Sequence, residues 1–183
     1  MRIRRLVALM MAVLLLAPSA LAATDSDPDL EALRTLHFCE ILGFLKAIRH
    51  DPRKSDDRFL IVWVDDNVEH YVQCLFYQRN QRILCEVASG FYRPPRQFHI
   101  PPEKLPALAA LGYSLDDSKG NFQQRRRVQG DAMLSDIADL FIRSLHEVYG
   151  VTADAQFHYE APLVAVPPPS QIYSGGKCGA LTS

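Results

Sequence analysis

Four cysteines and six histidines are the residues of this chain most able to do chemistry, so their spacing comes first. Cys39, Cys74, Cys85 and Cys178 contain no C-x-x-C pair, which excludes a thioredoxin-like redox site. The histidines are scattered. No H-E-x-x-H occurs, and His37-Phe38-Cys39-Glu40 lacks the spacing of a zinc deaminase, so neither a metal site nor any other cofactor is expected. Gly175-Gly176-Lys177-Cys178 resembles the end of a P-loop. Gln171 stands where its first glycine belongs, however, and Cys178 replaces the Ser or Thr. Ser89-Gly90 lacks the G-x-S-x-G frame of a nucleophile elbow. His70, Ser89 and Glu86 lie near one another in the hairpin read below, yet Glu86 falls on the strand face opposite His70, which breaks a triad. No catalytic residue is therefore expected, and a small periplasmic enzyme with an unrecognised site stands as the rival reading.

The chain has 183 residues, 48% of them hydrophobic and 22% charged, which suits one globular domain. Its formal net charge is −1. That balance argues against nucleic acid or an anionic membrane surface as a partner. Arg2, Arg4 and Arg5 precede an apolar run from Leu6 to Ala17, followed by Pro18-Ser19 and the small-x-small site Ala20-Leu21-Ala22. This pattern predicts a secretory signal peptide over residues 1–22. As a helix the run would reach about 18 Å, against roughly 30 Å of bilayer hydrocarbon, too short for stable membrane insertion. The expected destination is the periplasm or the medium, where cysteines form bridges.

The bridges must be placed by the elements that carry them. Val68–Gln78 and Gln81–Ser89 alternate apolar and polar residues and read as two strands around a tip at Arg79-Asn80. That register sets Val72 against Val87, Cys74 against Cys85, and Phe76 against Ile83, all on one face. Opposed residues of a non-hydrogen-bonded pair have Cα atoms about 4.5 Å apart, which a disulfide can span. Cys74–Cys85 is thus the expected bridge. Cys39–Cys178 would be a second, but nothing in the sequence orients that pair.

The remaining elements follow from local signals. Asp27-Pro28 opens a helix with Leu30, Leu33, His37, Ile41, Leu45 and Ile48 on one stripe, ending near Arg49. Arg58–Val64 reads as a strand. Pro101-Pro102-Glu103 opens a short helix stopped by Gly112. Phe122–Gln129 reads as a fourth strand near an edge, because Arg125-Arg126-Arg127 sits on it. Asp131 caps a last helix with Leu134, Ile137, Ala138, Phe141, Leu145 and Val148 as its stripe. The order α-β-β-β-α-β-α predicts an α+β two-layer sandwich, an antiparallel sheet flanked by helices, over residues 23–160. Residues 161–183 read as a Pro/Gly-rich flexible tail.

Several short motifs carry a resemblance. They are Tyr71-Val72-Gln73, Glu86-Val87-x-Ser89, Leu108-x-x-Leu111-Gly112-Tyr113, Asn121-Phe122, Ala138-Asp139-Leu140, Leu145-x-Glu147-Val148-Tyr149-Gly150-Val151 and Phe157-x-Tyr159-Glu160. In this order, over about residues 58–160, the chain resembles the TY-Chap domains. These are type III secretion chaperone-like families related to bacterial sensory transduction regulators. The resemblance implies a helix-flanked antiparallel sheet, no enzymatic activity, and binding of protein partners, often as a homodimer. It carries over no catalytic residue. Two departures stand out: the leader, and Phe122-Gln123-Gln124 where many relatives have Trp.

On this reading the chain is an exported, non-enzymatic protein-binding module. The open sheet face would take an extended or helical segment through Tyr71, Gln73, Leu75 and Tyr77. A disulfide-stapled structural domain that tethers a partner by its tail is the other alternative.

Overall fold

The computed structural model of the chain describes residues 27–65, 67–92, 100–165, 171–174 and 177–180. The leader expected over residues 1–22 lies outside them.

Helix α1 spans Pro28–His50. Asp27 caps it by accepting from the Asp29 and Leu30 amides, and Pro28 needs no amide partner in the first turn. Strands β1 (Phe59–Val64), β2 (Asn67–Tyr77) and β3 (Arg82–Val87) form the meander. The β2–β3 register is the one read from the sequence: Val72 faces Val87, Cys74 faces Cys85, and Phe76 faces Ile83. A four-residue turn, Gln78 to Gln81, closes it, with Gln78, Arg79 and Asn80 all at positive φ. A 3₁₀ turn, Pro102–Lys104, leads into the short helix α2, Leu105–Ala110. Gly112 follows at φ +90, a conformation that favours glycine, and reverses the chain towards β4 (Phe122–Arg127).

Helix α3 spans Ala132–Arg143 and continues as a wider π turn, Ser144–Val148. Asp131 does not cap it as expected. Its carboxylate is drawn instead to α1, where it pairs with Arg49 at 2.6 Å and lies 3.1 Å from His50 Nε2. The predicted apolar stripe nevertheless holds through the change of pitch, and all six of its residues are buried.

Past α3 the chain forms β5, Phe157–Glu160, which pairs with β1. The sequence reading places no strand there. The main sheet is therefore five-stranded and antiparallel, in the order β4-β3-β2-β1-β5. β4 lies at an edge, as its arginines suggest. Helices α1 and α3 pack together and bury one face of the sheet, through Leu33, Ile41, Leu45, Phe141 and Leu145 against Leu60, Val62, Val72 and Cys74. The architecture is an α+β two-layer sandwich.

Within residues 161–183, read as a tail, the structure holds a second small sheet. Strands β6 (Gln171–Ser174) and β7 (Lys177–Ala180) pair as an antiparallel hairpin. β6 lies on α1. Phe38 meets Tyr173 there, with ring centroids 4.4 Å apart. α1 therefore packs against α3 and β6 as well as β1.

Candidate functional site

Residues alternate across a strand, so the five strands that bury one face must present another. On β1 that second face carries Phe59, Ile61 and Trp63, all half-buried. On β2 it carries Tyr71, Gln73, Leu75 and Tyr77, half-buried as well. Leu75 lies between Phe59 and Leu84. Gln73 lies between Ile61 and Glu86, and Ile61 in turn faces Glu160. Among the described residues no helix packs over this face. A groove of about 330 Å³ opens on it, lined by Ile61, Trp63, Val68, Tyr71, Gln73 and Glu160. Trp63, one of its lining residues, stacks on His158, with centroids 5.5 Å apart. Apolar surface rimmed by polar groups in this way is what a docking surface requires.

The four residues singled out on β2 are thus on one face, but their surroundings differ. Tyr71 has its hydroxyl engaged, accepting from Asn121 Nδ2 at 2.7 Å. Gln73 donates to the carboxylate of Glu86, and Gln123 donates to its other oxygen at 2.7 Å. These two amides satisfy Glu86, which is buried although the sequence puts it on the wetter face. Leu75 and Tyr77 line a second, larger groove of about 750 Å³ at the hairpin end, together with Pro52, Lys54, Arg58 and Arg79. Phe59, Ile61 and Trp63 are missed by the sequence reading. Only the alternation of β1 could have pointed to them.

The candidate enzymatic groups are not assembled. His70 lies on the helix-covered face, stacked on Tyr149 at 4.7 Å, and burial lowers its pKa. The Ser89 hydroxyl donates to the Gly120 carbonyl at 3.1 Å and accepts from the Phe91 amide, so it holds a turn together. Glu86 points to the other side of the sheet. Tyr149 spans this region from below, its hydroxyl 3.0 Å from the Ala88 carbonyl and 3.2 Å from that of Tyr71. Burial keeps that phenol neutral far above its ordinary pKa. Among the described residues, no group of three or more His, Cys, Asp or Glu is arranged to hold a metal ion. No helix there is long and apolar enough to cross a membrane.

Among the described histidines, His37 is the most perturbed. Its ring lies flat on Phe157 at 3.8 Å, and its Nδ1 is 3.2 Å from the Tyr159 hydroxyl. Burial pushes its pKa down to about 4, so the imidazole is neutral under ordinary conditions. It works as a flat apolar plate that seats β5 on α1.

Two disulfides fix the frame. Cys74 and Cys85 are bridged inside the core with Cα atoms 4.1 Å apart, across the β2–β3 pair. Cys39 and Cys178 are bridged with Cα atoms 5.5 Å apart, which ties the β6–β7 hairpin to α1. Among the described residues no cysteine is free.

Residues 44–162 match a family described as TY-Chap3, T3SS (YopN, CesT) and YbjN peptide-binding chaperone 3. The chain belongs to this family. The TY-Chap3 match covers well over half of the sequence and takes in the whole five-stranded sheet and α3. It makes the protein a peptide-binding, chaperone-like module of a family that is non-enzymatic in general. Most of α1, residues 28–43, and the bridged β6–β7 hairpin lie outside the TY-Chap3 segment. No curated protein and no solved structure matches the chain.

Proposed function

We propose that the chain is an exported module that binds an extended segment of a partner protein on its open sheet face. The observation that carries this reading is the row Trp63, Ile61, Gln73, Leu75 and Tyr77, half-buried and without a helix over it among the described residues. A family of peptide-binding chaperones supplies the class of occupant. Ile61, Trp63 and Leu75 would take apolar side chains, while Tyr77 and the Gln73 amide would orient the segment by hydrogen bonds. The leader read over residues 1–22 and the two bridges support action outside the reducing cytosol. A homodimer through the same face would compete with the peptide.

The test is selection of a random-peptide display library on the oxidised protein, followed by anisotropy titrations of the enriched peptides. Leu75→Asp and Tyr77→Asp should each weaken binding about tenfold or more, the scale of a lost interface anchor. The same variants should reduce any self-association seen by sedimentation. Unchanged affinity and unchanged self-association in both variants would remove this face as the site. Fractionation of cells producing the full chain checks export: the processed protein should leave the cytosol.

A further inference from the structure

Two groups of arginines stand apart among the described residues. Arg34, Arg49, Arg53 and Arg143 each pair with a carboxylate at 2.5–2.7 Å. Arg79, Arg82, Arg125 and Arg127 pair with no carboxylate among the described residues, and the Arg125 guanidinium reaches only the Gln123 side-chain oxygen, at 3.1 Å. All four are exposed and stand at one end of the sheet. Arg82 is directly opposite Arg127, and Arg125 is opposite Leu84.

Main-chain directions sharpen the picture. The Gln123 carbonyl points away from β3, because it accepts the Ser114 amide at 2.8 Å. Val128, five residues on, donates instead to Gln81 on the β3 side. By the period of two, Arg125 and Arg127 therefore also turn their amides and carbonyls outward. Arg82 and Arg127 then form a non-hydrogen-bonded pair, the kind in which side chains stand closest. Two like charges in that position repel, and an anion between them reverses the sign. Beyond Ser114, no described residue pairs with this edge.

We infer that the β4 edge receives an acidic extended segment of a partner protein as an added strand. The inference rests on the peptide-binding reading above and names the chemistry of the bound segment. Two acidic residues spaced by two would meet Arg125 and Arg127 on the open face, with Leu84 on the strand behind them. The outward amides and carbonyls of the same two arginines would hold the segment's backbone. A strand edge offers nothing comparable to a nucleic acid. The chain as a whole, at a net charge of −1, is also not basic.

The probes are a synthetic peptide alternating Glu with Thr, its Gln and Lys counterparts, and a single-stranded oligothymidylate, each titrated against the oxidised protein. The Glu peptide should bind about tenfold more tightly than the Gln peptide, the size expected of two exposed ion pairs, and high salt should erase the difference. Arg125→Gln with Arg127→Gln should erase it as well, and Arg125→Glu with Arg127→Glu should transfer the preference to the Lys peptide. Amide exchange at Arg125 and Arg127 should slow when the Glu peptide is bound.

Three results would overturn the inference. Equal binding of the Glu and Gln peptides, while library peptides bind and are lost in Leu75→Asp, would leave the peptide-binding reading standing without the acidic preference. Binding of the oligothymidylate through the same arginines, with no amide protection, would make the patch a general polyanion site. Absence of Glu-peptide binding while library peptides bind would remove the edge as a recognition element.

Discussion

Along β2 the chain carries two different instructions in alternate residues. Val72, Cys74 and Phe76 are 0–3% exposed and packed under α1 and α3, whereas Tyr71, Gln73, Leu75 and Tyr77 between them are half-buried on the open side. The first set makes the fold. The second set is still partly open, and its contacts run along the sheet to Phe59, Ile61, Leu84 and Glu86 rather than to the helices. The contrast teaches that stability and recognition can be altered separately in this protein, strand by strand.

The largest break in that contrast should come from the covered side. Phe141→Ala removes a fully buried ring and should cost about 3–5 kcal/mol in urea unfolding, while the folded fraction keeps its peptide affinity. Next is the bridge between α1 and the β6–β7 hairpin. Cys39→Ala with Cys178→Ala opens a loop with a sequence separation of 139 and should cost about 3 kcal/mol. Amide exchange in β6 and β7 should speed up more than exchange in the main sheet.

A smaller effect comes from acid. His37 titrates at about 4 in the folded chain because burial disfavours its charge, whereas an unfolded histidine titrates near 6.5. The unfolded state thus takes up the proton first, and stability falls as pH drops from about 6.5 towards 4. With the ring still partly open to solvent, the loss should be about 1–2 kcal/mol. His37→Phe should flatten that part of a melting-temperature profile without altering neutral-pH stability much.

The smallest effect on stability belongs to the open side. Leu75→Asp should change unfolding free energy by less than about 1 kcal/mol while lowering peptide affinity about tenfold. If it costs as much as Phe141→Ala, the face is part of an interior and the contrast collapses.

The covered face was legible in the sequence because its evidence is periodic. Val72, Cys74 and Phe76 can meet Val87, Cys85 and Ile83 in only one register that keeps all six together. His37 falls on the α1 stripe for the same reason. What was not legible depends on tertiary pairing. Phe157–Glu160 is four residues long, too short for a pattern, and becomes a strand because β1 offers Ile61–Val64 as a partner. Asp131 looks like a cap until Arg49 arrives from a distant helix. Gln171–Ser174 and Lys177–Ala180 are four residues each, again too short for a pattern, and become strands where β6 meets α1. On the open face, alternation gave the parity of Tyr71 to Tyr77. It could not give β1 as the neighbour that adds Trp63 and Ile61.

The Cys39–Cys178 link makes the chain a closed ring from the first helix to the last hairpin, with the Cys74–Cys85 link as a smaller ring inside it. A protease that cuts once in an exposed connection, such as the one between α1 and β1, would therefore yield no separate fragments. The nicked molecule would keep its full mass on a denaturing gel and fall into two pieces only after a thiol is added. In a protease-rich environment such a topology turns a first cut from a loss of the molecule into a repairable scar on its outline.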